Sequence, residues 1–261
     1  MSDSTPTGAD AVRVEVSDGV AQVSFARPQR LNAVDYGTLE AFGDAVSEVS
    51  RRDDVRAVII RGDGPSFCVG ADMRAAMEGT YKVTPQQTME VSDRAVLAVV
   101  ESPVPVICAL RGNAVGVGAS LALATDLTVM ADDAKLKFPF INLGLMPDGG
   151  ATQMLPARLG RQRAAKILLL GGDIAAKQAL DDGLVVDVVP TDRVDDAARE
   201  LAAAVAARPA NAVAHTREAL SGAFAGEIKA ALTIEGRGQA SLLTGPEFAA
   251  AAAALAGKSK A

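Results

Sequence analysis

The sequence predicts an α/β fold followed by a helical C-terminal region, and three observations carry that reading. Short apolar runs at residues 55–60, 104–110 and 127–130 are separated by segments of helical period, as in strand–helix repetition around a buried parallel sheet. Two small-residue turns, at 67–73 and 112–120, each end a strand and open a helix. Beyond Pro156 the apolar spacing is mainly that of helices.

The elements follow in order. Residues 11–16 and 20–25 alternate apolar and polar side chains across Asp18-Gly19, a pair that favours the tight turn of a β-hairpin. From Asp35, the positions Leu39, Phe42, Val46 and Val49 recur at helical spacing, and Arg51-Arg52-Asp53-Asp54 breaks the pattern before the strand at 55–60. Residues 74–83 have no clear period. Thr84-Pro85-Gln86-Gln87 supplies an N-cap, a proline at the first helical position and a glutamine three residues past the cap, so a helix is expected from there to about Ser102. The strand at 104–110 feeds the second glycine-rich turn, a short helix follows, and 127–130 is the next strand. Helices are expected at 161–170, 174–182, 193–207, 211–224, 227–243 and 247–256, with a short strand at 185–189. The alanine-rich stretch 249–254 reads as helix because Phe248 and Leu255 flank it with side chains able to dock.

At 261 residues and 49% apolar composition the chain can bury a sizeable interior, read as a core over 1–192 and a helical region over 193–261. The formal charge of −6 and a pI near 4.9 argue against nucleic acid or an acidic membrane surface and favour a small-molecule partner. No apolar run reaches the roughly 20 residues that span a bilayer, and residues 1–10 are polar and acidic, so a cytoplasmic protein is expected. Cys68 and Cys108 read as small buried thiols. His215, the single histidine, falls in a C-terminal helix, and with two separated cysteines it makes neither a metal set nor a nucleophilic triad. Asp126 reads as a residue that ties or caps a strand.

The two turns carry the chemistry. Glycine and alanine let a ligand approach the main chain, while the first N–H groups of a helix lack internal partners and lie at its positive dipole end. Two such turns directed at one carbonyl form an oxyanion hole. A dinucleotide cradle is not supported: Gly116-x-Gly118 lacks the third glycine of that motif, and the chain has no phosphate-loop lysine motif.

Together with Arg27-Pro28-Gln29-Arg30-Leu31-Asn32-Ala33 upstream and Leu143-Gly144-Leu145-Met146-Pro147-Asp148-Gly149-Gly150-Ala151-Thr152 downstream, Phe67-Cys68-Val69-Gly70-Ala71-Asp72-Met73 and Gly112-Asn113-Ala114-Val115-Gly116-Val117-Gly118-Ala119-Ser120 resemble the enoyl-CoA hydratase/isomerase (crotonase) superfamily. The resemblance runs from about Val12 to the C-terminus. It implies a spiral of strand–strand–helix units, a C-terminal helical region that builds a homotrimer or hexamer, and an acyl-CoA thioester as ligand, with coenzyme A part of the substrate and no separate cofactor. It implies that the backbone N–H groups of Ala71 and Val117 hold the thioester carbonyl. For the nucleotide part of CoA it suggests Arg30, Val69, Asp72 and Met73, with Lys258 available for phosphate charge.

Where hydratases of the superfamily carry two glutamates, this sequence has Ser120 and Phe140. Both can still touch substrate, but neither is a carboxylate base, and each positioned acid–base group is worth about 10²–10⁴ in rate. Hydration is therefore disfavoured. Asp148 remains, beside apolar Phe140, Leu145 and Met146 that would raise its pKa, although an aspartate at a helix entrance is also a good N-cap. One carboxylate and an oxyanion hole suffice for an enoyl-CoA or dienoyl-CoA double-bond isomerase. Enoyl-CoA hydration and non-catalytic acyl-CoA binding are the competing readings.

Overall fold

The computed structural model describes residues 7–258, without the side chains of 77–78 and 255–258. The expected phosphate contact of Lys258 and the docking of Leu255 lie outside the described residues.

The N-terminal hairpin joins β1 (Val12–Ser17) to β2 (Val20–Phe25) through Asp18 and Gly19, both at positive φ, the geometry whose twist matches paired strands. Helix α1 (Tyr36–Val49) starts where the Asp35 carboxylate accepts the Thr38 N–H at 2.9 Å. Strand β3 (Ala57–Gly62) precedes a short helix α2 (Met73–Glu78), which occupies part of the segment without a clear period. Helix α3 (Pro85–Val100) opens on the expected Thr84/Gln87 capping box. Then follow β4 (Val106–Leu110), β5 (Asn113–Val115), α4 (Val117–Leu123), β6 (Leu127–Ala131) and β7 (Lys135–Lys137). The remaining elements are α5 (Ala151–Leu159), α6 (Arg161–Leu170), β8 (Asp173–Ala175), α7 (Ala176–Asp181), β9 (Asp187–Val189), α8 (Val194–Ala206), α9 (Ala210–Leu242) and α10 (Pro246–Lys258).

Strands β1-β2-β3-β4-β6-β9 form one sheet, parallel except for β1, and β5-β7-β8 form a smaller one. All five residues of β4 and five of the six in β3 are buried, which is why their sequences are continuous apolar runs rather than alternating ones. Each turn of the spiral gives one strand to the large sheet, one to the small sheet and then a helix: β4, β5 and α4, followed by β6, β7 and, after a 3₁₀ turn, α5. The preceding turn follows the same plan, with β3, a bridge from Cys68 to Ala114 in place of a strand, and α2. The strand-to-helix turns thereby stack side by side.

Helix α8 lies across β3, β4 and β6 with Val194, Ala198 and Ala202 buried, and α9 packs along α3. Arg217 of α9 staples the two: it donates to the Asp126 carboxylate at 2.8 Å and to the carbonyls of Val99, Val100 and Ser102 at the end of α3, while Asp126 also accepts the Val106 N–H at 2.7 Å. Asp126 is thus a tie between strand and helix. Among the described residues no helix is long and apolar enough to cross a membrane.

The structure corrects three expectations. Segments 211–224 and 227–243 are one helix of 33 residues, running through Gly222 and Gly226. A helical glycine costs about 1 kcal/mol, and the burial of Arg217 on one side and of Ile228 and Leu232 on the other outweighs it. Pro156 lies inside α5 rather than ahead of the helical region. The segment 174–182 begins as strand β8, because Asp173–Ala175 finds an antiparallel partner in β7 that local sequence cannot reveal.

Candidate active site

The two small-residue turns lie backbone against backbone. The Cys68 N–H donates to the Asn113 carbonyl at 3.3 Å, and the Val115 N–H donates to the Cys68 carbonyl at 2.9 Å. Glycine is required for this approach. A Cβ on Gly70, whose φ is +85°, would stand 2.8 Å from the Val115 carbonyl oxygen, and one on Gly118 would stand 2.9 Å from Cys68 Cβ and Sγ and closer still to its carbonyl oxygen. Ala71 is held on both sides, since the Val34 N–H donates to the Gly70 carbonyl at 2.8 Å and the Asp72 N–H to the Val34 carbonyl at 2.7 Å. The Ala71 N–H itself meets no acceptor among the described residues. Val117 is the first residue of α4, so its N–H has no partner within the helix. Two N–H groups without a backbone acceptor among the described residues thus lie on adjacent turns.

Ahead of Ala71 sits a buried charge network. Asp72 caps α2 through the Ala75 N–H at 3.1 Å and accepts Arg27 at 2.9 Å and Arg30 at 2.6 Å. Burial opposes its ionisation, but the Ala75 N–H and the two guanidinium groups hold the carboxyl below its ordinary value. With its N–H also engaged, the Asp72 side chain is tied inside the protein, where it holds the Arg30 guanidinium. The Arg30 side chain remains 27% exposed. Val69 donates its N–H to the Leu31 carbonyl at 3.3 Å, and Met73 is half-buried at the start of α2. Asn32, fully buried and at φ 57°, pins the loop: it accepts the Arg27 N–H at 2.9 Å and donates to the carbonyls of Asp63 and Ser66, each at 2.8 Å.

On the other side of the turns, the Phe140 ring lies against Gly116, 3.6 Å from where a Cβ there would be. Ser120, one helical turn beyond Val117, is buried and donates to the Asp148 backbone carbonyl at 2.8 Å. A Cβ on the neighbouring Gly149 would meet Ser120 Cβ at 2.7 Å. The Asp148 turn therefore rests directly on α4, next to the Val117 donor.

Asp148 does not cap α5. That task falls to Glu235 of α9, which accepts the N–H groups of Gly150 at 2.7 Å and Thr152 at 2.9 Å and the Thr152 hydroxyl at 2.5 Å. The Asp148 carboxyl instead accepts one bond, from Gln239 Nε2 to its Oδ2 at 2.9 Å, and Gln239 is itself oriented by the Met146 N–H at 3.1 Å. Its Oδ1 is buried without a partner. Burial pushes the Asp148 pKa up to about 7, against the Gln239 hydrogen bond and with help from the charges of Glu235 and Asp93. Burial also raises Glu235, opposed by its bonds to Thr152 and Gly150. A carboxyl only 9% exposed, half satisfied and titrating near neutrality has the properties of a general base.

Glu235 and Gln239 are not visible as site residues in sequence, since they stand on α9, 83 to 91 positions from Thr152 and Asp148, and the charge of Asp93 reaches Asp148 from the separate helix α3. Elsewhere, burial lifts the Cys68 thiol to about 12 and raises Cys108 as well, so neither is a ready nucleophile. His215 is exposed on α9 and contacts Glu218 at 3.4 Å. Among the described residues no three His, Cys, Asp or Glu groups converge to hold a metal ion.

Residues 15–257 match the family described as enoyl-CoA hydratase/isomerase. The chain is 33% identical over 223 residues to the 1,2-epoxyphenylacetyl-CoA isomerase of Escherichia coli (strain K12), covering 84% of this chain and 85% of that one. It is 32% identical over 238 residues to a probable enoyl-CoA hydratase of Rhodobacter capsulatus, covering 91% of each. Among solved structures, an enoyl-CoA hydratase from Mycobacterium avium subsp. paratuberculosis K-10 superposes with a TM-score of 0.86 at 34% identity, over 93% of this chain and 98% of that chain.

Proposed function

The chain belongs to the enoyl-CoA hydratase/isomerase family, and from that premise we propose that it is an enoyl-CoA or dienoyl-CoA double-bond isomerase in which Asp148 carries the proton. The observation that carries this reading is the buried Asp148 carboxyl with a free oxygen, next to the two turns, at a site where Ser120 and Phe140 offer no second acid. The name of the E. coli relative, 1,2-epoxyphenylacetyl-CoA isomerase, supports isomerisation of a CoA-linked substrate, in that case of an epoxide. The N–H groups of Ala71 and Val117 donate to the thioester carbonyl and stabilise negative charge on its oxygen. Asp148 removes a proton from the carbon beside the carbonyl of a 3-enoyl thioester. The electron pair of that C–H bond moves into the dienolate, and Asp148 returns the proton at the γ carbon to leave the 2-enoyl isomer. The exposed edge of Arg30, with Val69 and Met73 beside it, faces the nucleotide end of CoA in this reading, and Phe140 and Ser120 wall the reacting end.

Incubation with a panel of saturated, 2-enoyl, 3-enoyl and dienoyl CoA thioesters, followed by chromatography and mass spectrometry, is expected to give mass-neutral products with a moved double bond. Gain of the mass of water would establish hydration instead, and binding without turnover across the panel would leave an acyl-CoA-binding protein. A trimer or hexamer goes with this reading, supported by the exposed Leu169, Leu170, Leu220 and Ile234 on α6 and α9. Native mass spectrometry at micromolar concentration should find three or six copies, and monomer alone would reject the assembly.

A further inference from the structure

Three residues at helical spacing on α9, Glu235, Gly238 and Gln239, meet the segment that carries Asp148, each in a different way. Glu235 caps α5 through Gly150 and Thr152. Gly238 leaves a notch for the Met146 side chain, because a Cβ there would run into the Met146 sulfur. Gln239 is buried and uses both ends of its amide: Oε1 accepts the Met146 N–H at 3.1 Å and Nε2 donates to Asp148 Oδ2 at 2.9 Å. This orientation admits no reversal. A backbone N–H can only donate, so the amide oxygen must face Met146 and the NH₂ group must face the carboxyl. An NH₂ group has no lone pair to offer an O–H, so a proton on Oδ2 would be set against another donor. The oxygen left for a proton is Oδ1, which has no partner.

We propose that Gln239 is a positioning residue that reserves Oδ1 of Asp148 for the proton, by occupying Oδ2 with a donor that cannot turn round. The inference rests on Asp148 being the base of the double-bond shift. In that reaction Oδ1 takes the proton from the carbon beside the carbonyl, holds it while the dienolate exists and returns it at the γ carbon, and Oδ2 keeps its bond to Nε2 throughout. Gln239 also favours the ionised carboxylate that begins each turnover. It does so against burial and against the negative charges of Glu235 from α9 and Asp93 from α3, while α4, which supports the turn through Ser120, brings no titratable group.

The test is Gln239→Met, which fills similar space without either polar end, assayed for isomerisation across pH. Turnover near neutral pH should fall about 10- to 100-fold, the scale of one hydrogen bond to a charged group. The limb of the pH–rate profile that rises as Asp148 ionises should move to higher pH, because the lost donor favoured the carboxylate, so the loss should shrink in alkali. Thioester affinity by calorimetry should match wild type, since the N–H groups of Ala71 and Val117 are untouched. In an Asp148→Asn background the same substitution should cost at most about twofold more, as for a residue that acts only through the base. An unmoved limb, a loss equal at every pH, or weakened thioester binding in the folded variant would overturn the proposal. If Gln239→Met does not fold, Gln239→Glu keeps an oxygen for the Met146 N–H and sets a carboxyl against Oδ2 in place of the donor; its limb must also move to higher pH, and an unmoved one is equally fatal. If the wild type moves no double bond, the isomerase reading fails and takes the proton's route with it. Carboxyl ¹³C NMR, with the Asp148 signal identified by its loss in Asp148→Asn, then decides the remaining point: an Asp148 titration that the Gln239 variants leave in place removes the orienting bond as well.

Discussion

Asp148→Asn is expected to cut turnover by on the order of 10²–10⁴ while leaving thioester binding intact, the scale for removal of a general base. Asparagine keeps an oxygen to accept the Gln239 N–H, and α5 keeps its cap because Glu235 supplies it. The same substitution should make the protein more resistant to unfolding at alkaline pH. The folded-state pKa of Asp148 is raised, so the folded chain holds a proton there that the unfolded chain has already released. The stability from that proton is fully present below the unfolded pKa and is lost as pH rises through about 7. Above that pH the wild type carries a buried charge that the variant lacks, a difference on the order of 1–3 kcal/mol. Denaturant titrations at pH 5 and pH 8.5 should therefore show a gain confined to the higher pH. Turnover equal to wild type would remove Asp148 from the mechanism, and a loss of stability at both pH values would mark the residue as structural.

Val117→Pro should lower turnover by about 10²–10³, the usual effect of deleting one oxyanion donor. Val117 is the first residue of α4, where proline's fixed φ fits and no intrahelical hydrogen bond is lost, so the substitution removes the N–H and little else. Calorimetry provides the second readout. The wild type should bind an acyl-CoA thioester more tightly than the matching thioether, which has no carbonyl, and the variant should treat the two more nearly alike. A folded Val117→Pro protein that keeps both turnover and thioester preference would exclude this N–H from the site.

The parts of the site built from local sequence were readable in advance. Asp18-Gly19 and the Thr84–Gln87 box encode their geometry within a few residues, and the turns at Gly70 and Gly118 announce a close backbone approach through their lack of side chains. Asp148 could be singled out, but not its surroundings. Whether it capped α5 or stood free depended on Glu235, 85 positions from Gly150, and its partner Gln239 lies on a helix whose length the sequence understated by dividing it near Gly226. The surroundings of Asp72 are hidden for a related reason: Arg27 and Arg30, which its carboxylate accepts, stand more than 40 positions upstream. Long-range pairing decides such cases, and periodicity carries no record of it.

The dependence of Asp148 on α9 has a bearing on how activity arises during biosynthesis. A ribosome adds residues from the N-terminus at about 5–20 per second, and structure forms behind it as chain emerges. Both sheets and both ligand turns are complete in sequence by residue 189, and Asp148 is already in place. Glu235 and Gln239 come some 46 to 50 residues later, counting from 189, and until they dock the α5 cap is open and the Asp148 carboxyl lacks its one hydrogen bond. If Ala71, Val117 and Asp148 act as proposed, the nascent chain thus passes through a stage with the two turns in place and the carboxyl not yet tuned, and reactivity is acquired late, when the last long helix docks.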